Sequence, residues 1–195
     1  MEHILKLAEE NQRKAREIVR RTGVVELWKS AGAEVRPVGS LSMGLLMKHR
    51  DIDFHLYSPT VTPEAGFRVM ARLAENHSVR RVEYVNLLHT EEECVEWHAW
   101  CEDDGGELWQ LDMIHIRKGS RYDGYFERMA GRIAAVLTDE TRCAILRLKY
   151  ETPEEVKIAG VEYYQAVLRD GVRSYAEFEA WRREHPLVGI AEWMP

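Results

Sequence analysis

Apolar residues recur at helical spacing from the amino terminus: Ile4, Leu7, Ala8, Ala15, Ile18, Val19, Val25 and Leu27 alternate with charged positions. That period predicts one helix from His3 to about Trp28, broken at Gly23, with Gly32 ending its continuation. The pattern then changes. Glu34–Val38 reads as a strand, Ser42–Met47 as a short helix and Asp51–Tyr57 as a second strand. Thr62-Pro63-Glu64 is a helix start with proline just inside the cap, and Phe67, Val69, Met70 and Leu73 give that helix its buried side. Three β-rich segments follow: Val79–Leu88, Cys94–Cys101 and Leu108–Ile116, the last two joined as an antiparallel hairpin by Asp103-Asp104-Gly105-Gly106. Beyond Tyr122 the pattern is helical again, over Tyr125–Leu137, Asp139–Lys149, Pro153–Arg169 and Tyr175–Glu184, with breaks at Thr138-Asp139, Thr152-Pro153 and Asp170-Gly171.

Acidic residues interrupt two of the apolar strands, and they do so in register with the strand period. Asp51 and Asp53 are two apart, so they project from one face. Asp112 sits inside Leu108–Ile116, on the same face as Leu108, Gln110, Ile114 and Ile116. A lone carboxylate on such a side is costly, and a metal ion is one way to meet that cost; an edge position or an arginine partner is another. Three carboxylates on neighbouring strands suit a pair of Mg²⁺ ions about 3.5–4 Å apart, the spacing used for in-line phosphoryl chemistry. Gly39-Ser40, leaving the strand that precedes them, lets backbone approach a phosphate, and a helix starting near Ser42 would aim free N–H groups at the same anion.

The ordered set of Gly39, Ser40, Asp51, Asp53 and Asp112 resembles the signature of the nucleotidyltransferase superfamily to which DNA polymerase beta belongs. In that pattern a Gly-Ser turn precedes an acidic-apolar-acidic triplet and a third acid on a later strand. The match runs from about Val35 to Ile116. The resemblance implies an α+β fold: a mixed β-sheet flanked by helices in a catalytic domain over residues 1–120, then a helical region over 121–195 that walls the nucleotide cleft. It implies Mg²⁺, two ions, held by Asp51, Asp53 and Asp112, a nucleoside triphosphate (NTP) as donor, and Gly39 and Ser40 clamping its phosphates. One departure matters. Small members of the superfamily often place arginines after the Gly-Ser pair, whereas this chain reads Leu41-Ser42-Met43-Gly44. The triphosphate must find its cations elsewhere, and the candidates are Lys48, Arg50, Arg117, Lys118, Lys149 and Lys157.

Composition narrows the partners. At 195 residues the chain can hold one good core, or a small α/β domain with a helical appendage. A net charge of −6 argues against generic binding to duplex DNA, so nucleic acid is not favoured and a small-molecule or protein hydroxyl is the expected acceptor. Cys94, Cys101 and Cys143 show no CxxC spacing and read as reduced core thiols of a cytoplasmic protein. Residues 1–21 lack the apolar core of a targeting signal, and no apolar run is long enough to span a bilayer.

Other features admit two readings each. His55 shares the strand face of Asp53, where it either touches nucleotide or is a hydrogen-bonded core histidine, while His115 faces away from Asp112 and reads as structural. Trp97, Trp100 and Trp109 offer ring stacking, though core packing explains them better. Tyr163 and Tyr164 either approach the base or pack in a helical core. The run Glu91-Glu92-Glu93 is most simply a solvated loop, the other reading being an acidic cleft mouth that favours a cationic acceptor such as an aminoglycoside. The tail Leu187–Pro195, carrying Trp193 and Met194, is expected to pack on the body or on a second subunit, which leaves a homodimer open. The expected function is transfer of a nucleoside monophosphate from an NTP to an acceptor hydroxyl with release of pyrophosphate, Asp112 serving as general base. The rival is a non-catalytic nucleotide-binding or antitoxin-like interaction protein of the same fold.

Overall fold

The computed structural model of the chain describes residues 1–187, 189 and 193–195. Helix α1 (Glu2–Thr22) ends at Gly23, whose φ of +64° turns the chain into α2 (Val24–Ser30). A residue with a Cβ resists that left-handed conformation, which is why the long apolar pattern yields two helices here. Five strands form one sheet: β1 (Glu34–Pro37), β2 (Asp51–Ser58), β3 (Val79–Leu87), β4 (Cys94–Glu102) and β5 (Leu108–Arg117), in the order β1-β2-β5-β4-β3. Strands β2 and β5 run parallel at the centre, and every other pair is antiparallel. The expected hairpin over Asp103–Gly106 joins β4 to β5. The α+β class and the mixed sheet are therefore as the sequence indicated.

Strict alternation along the strands decides where the core lies. Ile52, Phe54 and Leu56 of β2, Val95, Trp97 and Ala99 of β4, and Trp109, Leu111 and Met113 of β5 all point to one face. Helices α1, α2 and α4 (Pro63–Ala74) cover that face through Ala15, Ile18, Trp28, Val69, Met70 and Leu73. Burying each large apolar side chain there contributes about 1.5–3 kcal/mol. Trp97 and Trp109 are fully buried, as core packing requires. The intervening strand residues face the other way and carry the polar chemistry.

A second apolar cluster is built from α5 (Tyr125–Val136), α6 (Asp139–Glu151), α7 (Gly160–Tyr164), a π-helical turn (Gln165–Arg169) and α8 (Tyr175–Glu184). Ile4 and Ala8 at the start of α1 join it, so α1 lies along both clusters. Trp193 packs against this second cluster, placing that part of the tail on the body; Val188 and residues 190–192 lie outside the described residues. Among the described residues no helix is long and apolar enough to cross a membrane.

Three local expectations fail. Ser42–Met47 is not helical: the helical turn, α3, spans Gly39–Ser42, and Gly44 at φ +70° breaks it. The chain beyond is pinned instead by two side chains of α1, with Asn11 donating to the Met47 carbonyl at 2.7 Å and Gln12 to the Gly44 carbonyl at 3.1 Å. Pro153–Ala159 is likewise not helical; Thr152, preceding proline, is extended, and the helix begins only at Gly160, where Glu162 accepts from the Ala159 amide at 3.2 Å. Phe67 is about half exposed (51%), lying against Tyr84 and Trp97 at the sheet margin with both ring centroids 4.9 Å away.

Candidate active site

Gly39 opens the site. Its φ is +66°, and a Cβ at this position would stand 1.8 Å from Asp53 Oδ2, so the backbone of the Gly-Ser turn rests directly on the Asp53 carboxylate. Ser42 Oγ donates to the Gly39 carbonyl at 2.8 Å, and the Leu45 amide to the Ser40 carbonyl at 2.8 Å, closing a compact turn. The helix start expected near Ser42 is thus at Gly39, and α3 is a single turn of four residues.

The three carboxylates meet by register. Asp53 pairs with Asp112 across the parallel β2–β5 ladder, and Asp51 pairs with Gln110. Continuing across the sheet, Asp112 pairs with His98 of β4, and His98 with Glu83 of β3. All of these lie on the face away from α1, α2 and α4, because their neighbours in sequence are the core residues named above. The acids are half-buried. Burial, then the charges of Asp51 and Asp112, hold the Asp53 carboxyl well above the usual carboxylate range, while the Lys149 ammonium pulls the other way.

Asp112 has a partner that the sequence reading missed. His98 Nδ1 lies 2.5 Å from Asp112 Oδ1, and Gln110 Nε2 donates to the same oxygen at 2.6 Å. The other imidazole nitrogen, Nε2, is 3.3 Å from Glu96. Hydrogen bonds to these carboxylates, Asp112 foremost, push His98 up to about 9, so the ring is an imidazolium at neutral pH. The partner is neither the arginine nor the edge position entertained from sequence.

Lys149 of α6 is buried and bonds three oxygens: Ser40 Oγ at 2.7 Å, the Leu45 carbonyl at 3.1 Å and the Tyr164 hydroxyl at 3.2 Å. Tyr164 and Ser40 are themselves 3.1 Å apart. A buried ammonium needs such neighbours, and it links the helical cluster to the Gly-Ser turn. Beside it opens a cleft of about 550 Å³ whose walls include Ser40, Asp51, Asp112 and Lys149. Lys48, His49, Arg50 and Lys157 line it too, with Trp100, Leu108 and Tyr163 among the apolar contributors. Lys48 donates to the Thr152 carbonyl at 2.7 Å, and Arg50 is paired with Glu107.

Other candidates are placed elsewhere. Arg117 pairs with Glu93 at 2.5 Å and Lys118 with Glu34 at 3.0 Å, and neither lines the cleft. His55 is buried, its Nδ1 3.3 Å from the Tyr57 hydroxyl and 3.5 Å from Glu127, and the Tyr57 hydroxyl donates to Glu127 at 2.7 Å, tying β2 to α5; His55 is thus a buried histidine held by a hydrogen bond. Burial, with the Glu127 bond, raises the Tyr57 hydroxyl. His115 is buried on the opposite face against Ser58 Oγ at 2.9 Å, and burial pushes it down to about 4. Trp100 reaches the cleft wall under Arg81, whose guanidinium is 4.1 Å from the ring centroid.

The residues present suit divalent cations in charge and chemistry. Three carboxylates converge, and burial together with the repulsion of Asp51 and Asp112 elevates Asp53, a cost that a cation relieves. As placed, no group of three His, Cys, Asp or Glu side chains among the described residues forms a finished ligand set. Asp112 has one oxygen committed to His98 and Gln110.

No protein-family model matches the chain, and no curated protein matches it. Solved structures do. Cid1 poly(U) polymerase with MgGTP bound aligns with a TM-score of 0.60 and 13% identity, over 86% of this chain and 54% of that one. Cid1 in complex with its short product ApU aligns at 0.56 and 13%, over 86% and 54%. A cytoplasmic RNA terminal U-transferase gives 0.54 and 14%, over 86% and 53%. The chain has the nucleotidyltransferase fold that these structures share. The chain spans about half the length of the structures it matches.

Proposed function

We propose that the protein is a metal-dependent nucleotidyltransferase that moves a nucleoside monophosphate from an NTP to an acceptor hydroxyl and releases pyrophosphate. The observation that carries this reading is the alignment of Asp53 with Asp112 in one row of the sheet, with Asp51 two residues earlier on β2 and with Asp51, Asp112, Ser40 and Lys149 lining one cleft. Structures of this fold include one with MgGTP bound and one with MgATP bound, which supports Mg²⁺ and an NTP here.

Asp51, Asp53 and Asp112 would hold Mg²⁺, two ions. Bound there, the ions would neutralise the triphosphate and lower the pKa of the acceptor hydroxyl. The Gly39-Ser40 turn offers backbone amides and a hydroxyl to the terminal phosphates. Lys149, already beside Ser40 Oγ, supplies a fixed positive charge to the same end. Lys48 and Lys157 add charge from the cleft wall, in place of the arginines other small members carry after Gly-Ser. Asp112, which lines the cleft, would take or relay the acceptor proton as the acceptor oxygen attacks the α-phosphorus and the bond to pyrophosphate breaks.

The acceptor is read as a hydroxyl compound. One neighbour is a cytoplasmic RNA terminal U-transferase, while the net charge of −6 here favours a small molecule or a protein side chain. One observation favours the rival, a nucleotide-binding protein without turnover: one Asp112 oxygen is already held by His98 and Gln110. Calorimetric titration of each NTP, with and without Mg²⁺, on the wild type and Asp53→Asn separates these readings. Metal-dependent binding lost in the variant supports the enzyme. Binding indifferent to both supports the rival, and no binding of any NTP by the wild type removes the proposal.

A further inference from the structure

The two hydrogen bonds on Asp112 share an unusual feature: both end on Oδ1. They come from different directions. Gln110 is two residues back on the same strand, and His98 is the direct cross-strand partner on β4. A carboxylate gripped through one oxygen by two donors has its side-chain torsions fixed, and its second oxygen is kept for another contact. His98 is anchored in turn, since its far nitrogen meets Glu96 Oε2 at 3.3 Å. Its side chain is 17% exposed and that of Asp112 20%, so the pair is partly shielded from solvent.

We infer that His98 and Gln110 are positioning residues for the acceptor half of the site: by holding Asp112 Oδ1 they reserve Oδ2 for the second ion and the acceptor hydroxyl. This rests on the nucleotidyl-transfer reading. The argument from geometry is one of reach. A carboxylate free to rotate would spend part of its time turned from the cleft, and polar neighbours that orient a ligand side chain typically change affinity for the metal about 10–100-fold. Among the described residues the side-chain hydrogen bonds of His98 and Gln110 reach Asp112 and neither Asp51 nor Asp53, so their effect should fall on one ion more than on the other.

The test counts bound ions. Mn²⁺ is titrated by electron paramagnetic resonance in the presence of an α,β-methylene NTP, each base in turn, on the wild type, His98→Ala, His98→Asn and Gln110→Ala. Thermal melts establish that each variant is folded. Asn places an amide nitrogen near the present Nδ1, so it keeps the bond to Oδ1 while losing the charge and the link to Glu96.

The wild type is expected to bind two ions. His98→Ala and Gln110→Ala should keep the nucleotide analogue and the first ion, with the second weakened about 10–100-fold. His98→Asn should recover most of that loss. Equal binding of both ions in wild type and His98→Ala overturns the inference, as does a single ion in the wild type or an Asn variant no better than Ala. Loss of both ions and the analogue together in a folded variant also overturns it, because the clamp would then shape the whole site. A wild type that binds neither analogue nor ion refutes the reading of the preceding section and takes this inference with it. Should His98→Ala not fold, His98→Asn and Gln110→Ala decide the matter.

Discussion

Gly39 rests on Asp53 so closely that a Cβ at position 39 would stand 1.8 Å from the Asp53 Oδ2 atom. The turn and the strand acid are therefore one unit. Gly39→Ala meets two obstacles, a φ of +66° and the Asp53 carboxylate. The backbone conformation alone costs about 1–2 kcal/mol. The contact adds a displacement of either Asp53 or the turn. Metal-dependent NTP binding should be lost in a variant that remains folded by circular dichroism; unchanged binding would show that the turn and Asp53 act independently.

Asp53 also sets stability against function. Burial and the charges of Asp51 and Asp112 raise its carboxyl, so the metal-free fold carries repulsion at this site. Asp53→Asn removes one of the three charges with little change of shape. The metal-free variant should melt higher than wild type, by a gain of about 0.5–2 kcal/mol, while losing Mg²⁺-dependent NTP binding. A variant less stable than wild type without metal would indicate that Lys149 compensates the carboxylate fully.

The candidate acids were legible in the sequence because they break apolar strands at alternate positions, and alternation fixes a face without any knowledge of tertiary structure. Asp51 and Asp53 were therefore placed on one face, and the sheet confirms that placement. His98 was overlooked because its role depends on pairing between strands. The hairpin over Asp103–Gly106 contained the signal: Cys101 opposite Trp109 puts His98 opposite Asp112 by counting along both strands. Asn11 and Gln12 had a signal too, being polar residues on the buried side of α1, where a polar group needs a partner. Their partners, the Met47 and Gly44 carbonyls, lie more than thirty residues away. Those long-range bonds override the local preference of Ser42–Met47 for helix. The start of α7 was misplaced for a related reason, since Pro153 looks like a helix start, whereas the Glu162 cap on Ala159 sets the boundary.

Lys149 tests the link between the helical cluster and the Gly-Ser turn. Its ammonium bonds Ser40, Tyr164 and the Leu45 carbonyl from a buried position, so truncation leaves three polar groups without that partner. Lys149→Ala should cost about 1–3 kcal/mol, the scale for leaving a buried polar group without its partner. Lys149→Met keeps most of the volume and should be the milder of the two in chemical denaturation. Both should weaken NTP binding by tenfold or more. Full affinity in the Met variant would assign Lys149 to the fold alone.

The packing of α4 makes a prediction independent of function. Gly66 lies against Trp97, and a Cβ there would stand 2.1 Å from Trp97 Cζ2. Alanine is ordinarily the better helix former by about 1 kcal/mol. Here the indole is fully buried and cannot yield without moving the sheet or the helix. Gly66→Ala should therefore destabilise, by about 1–3 kcal/mol for an overpacked core, reversing the sign that helix propensity alone predicts. A thermal melt at or above that of wild type would show that α4 shifts freely on the sheet.

His115 gives the fold an acid limb whose direction follows from its burial. Enclosed between β2, β5 and Trp28, it is pushed down to about 4 from an ordinary value of 6.5. Among the described residues its Nδ1 has no hydrogen-bond partner, which suits a neutral ring donating through Nε2 to Ser58 Oγ. Between these two values the unfolded chain binds a proton that the folded chain refuses, so stability rises with pH through that window. This contribution is complete above pH 6.5 and is lost progressively as pH falls toward 4, a difference on the order of 3 kcal/mol. His115→Leu removes the titration, at the cost of leaving Ser58 without its partner. Denaturant midpoints measured at pH 7 and pH 4.5 should fall more steeply with acid in the wild type than in the variant, whatever the variant's absolute stability. Equal slopes would mean that His115 takes up its proton in the folded chain.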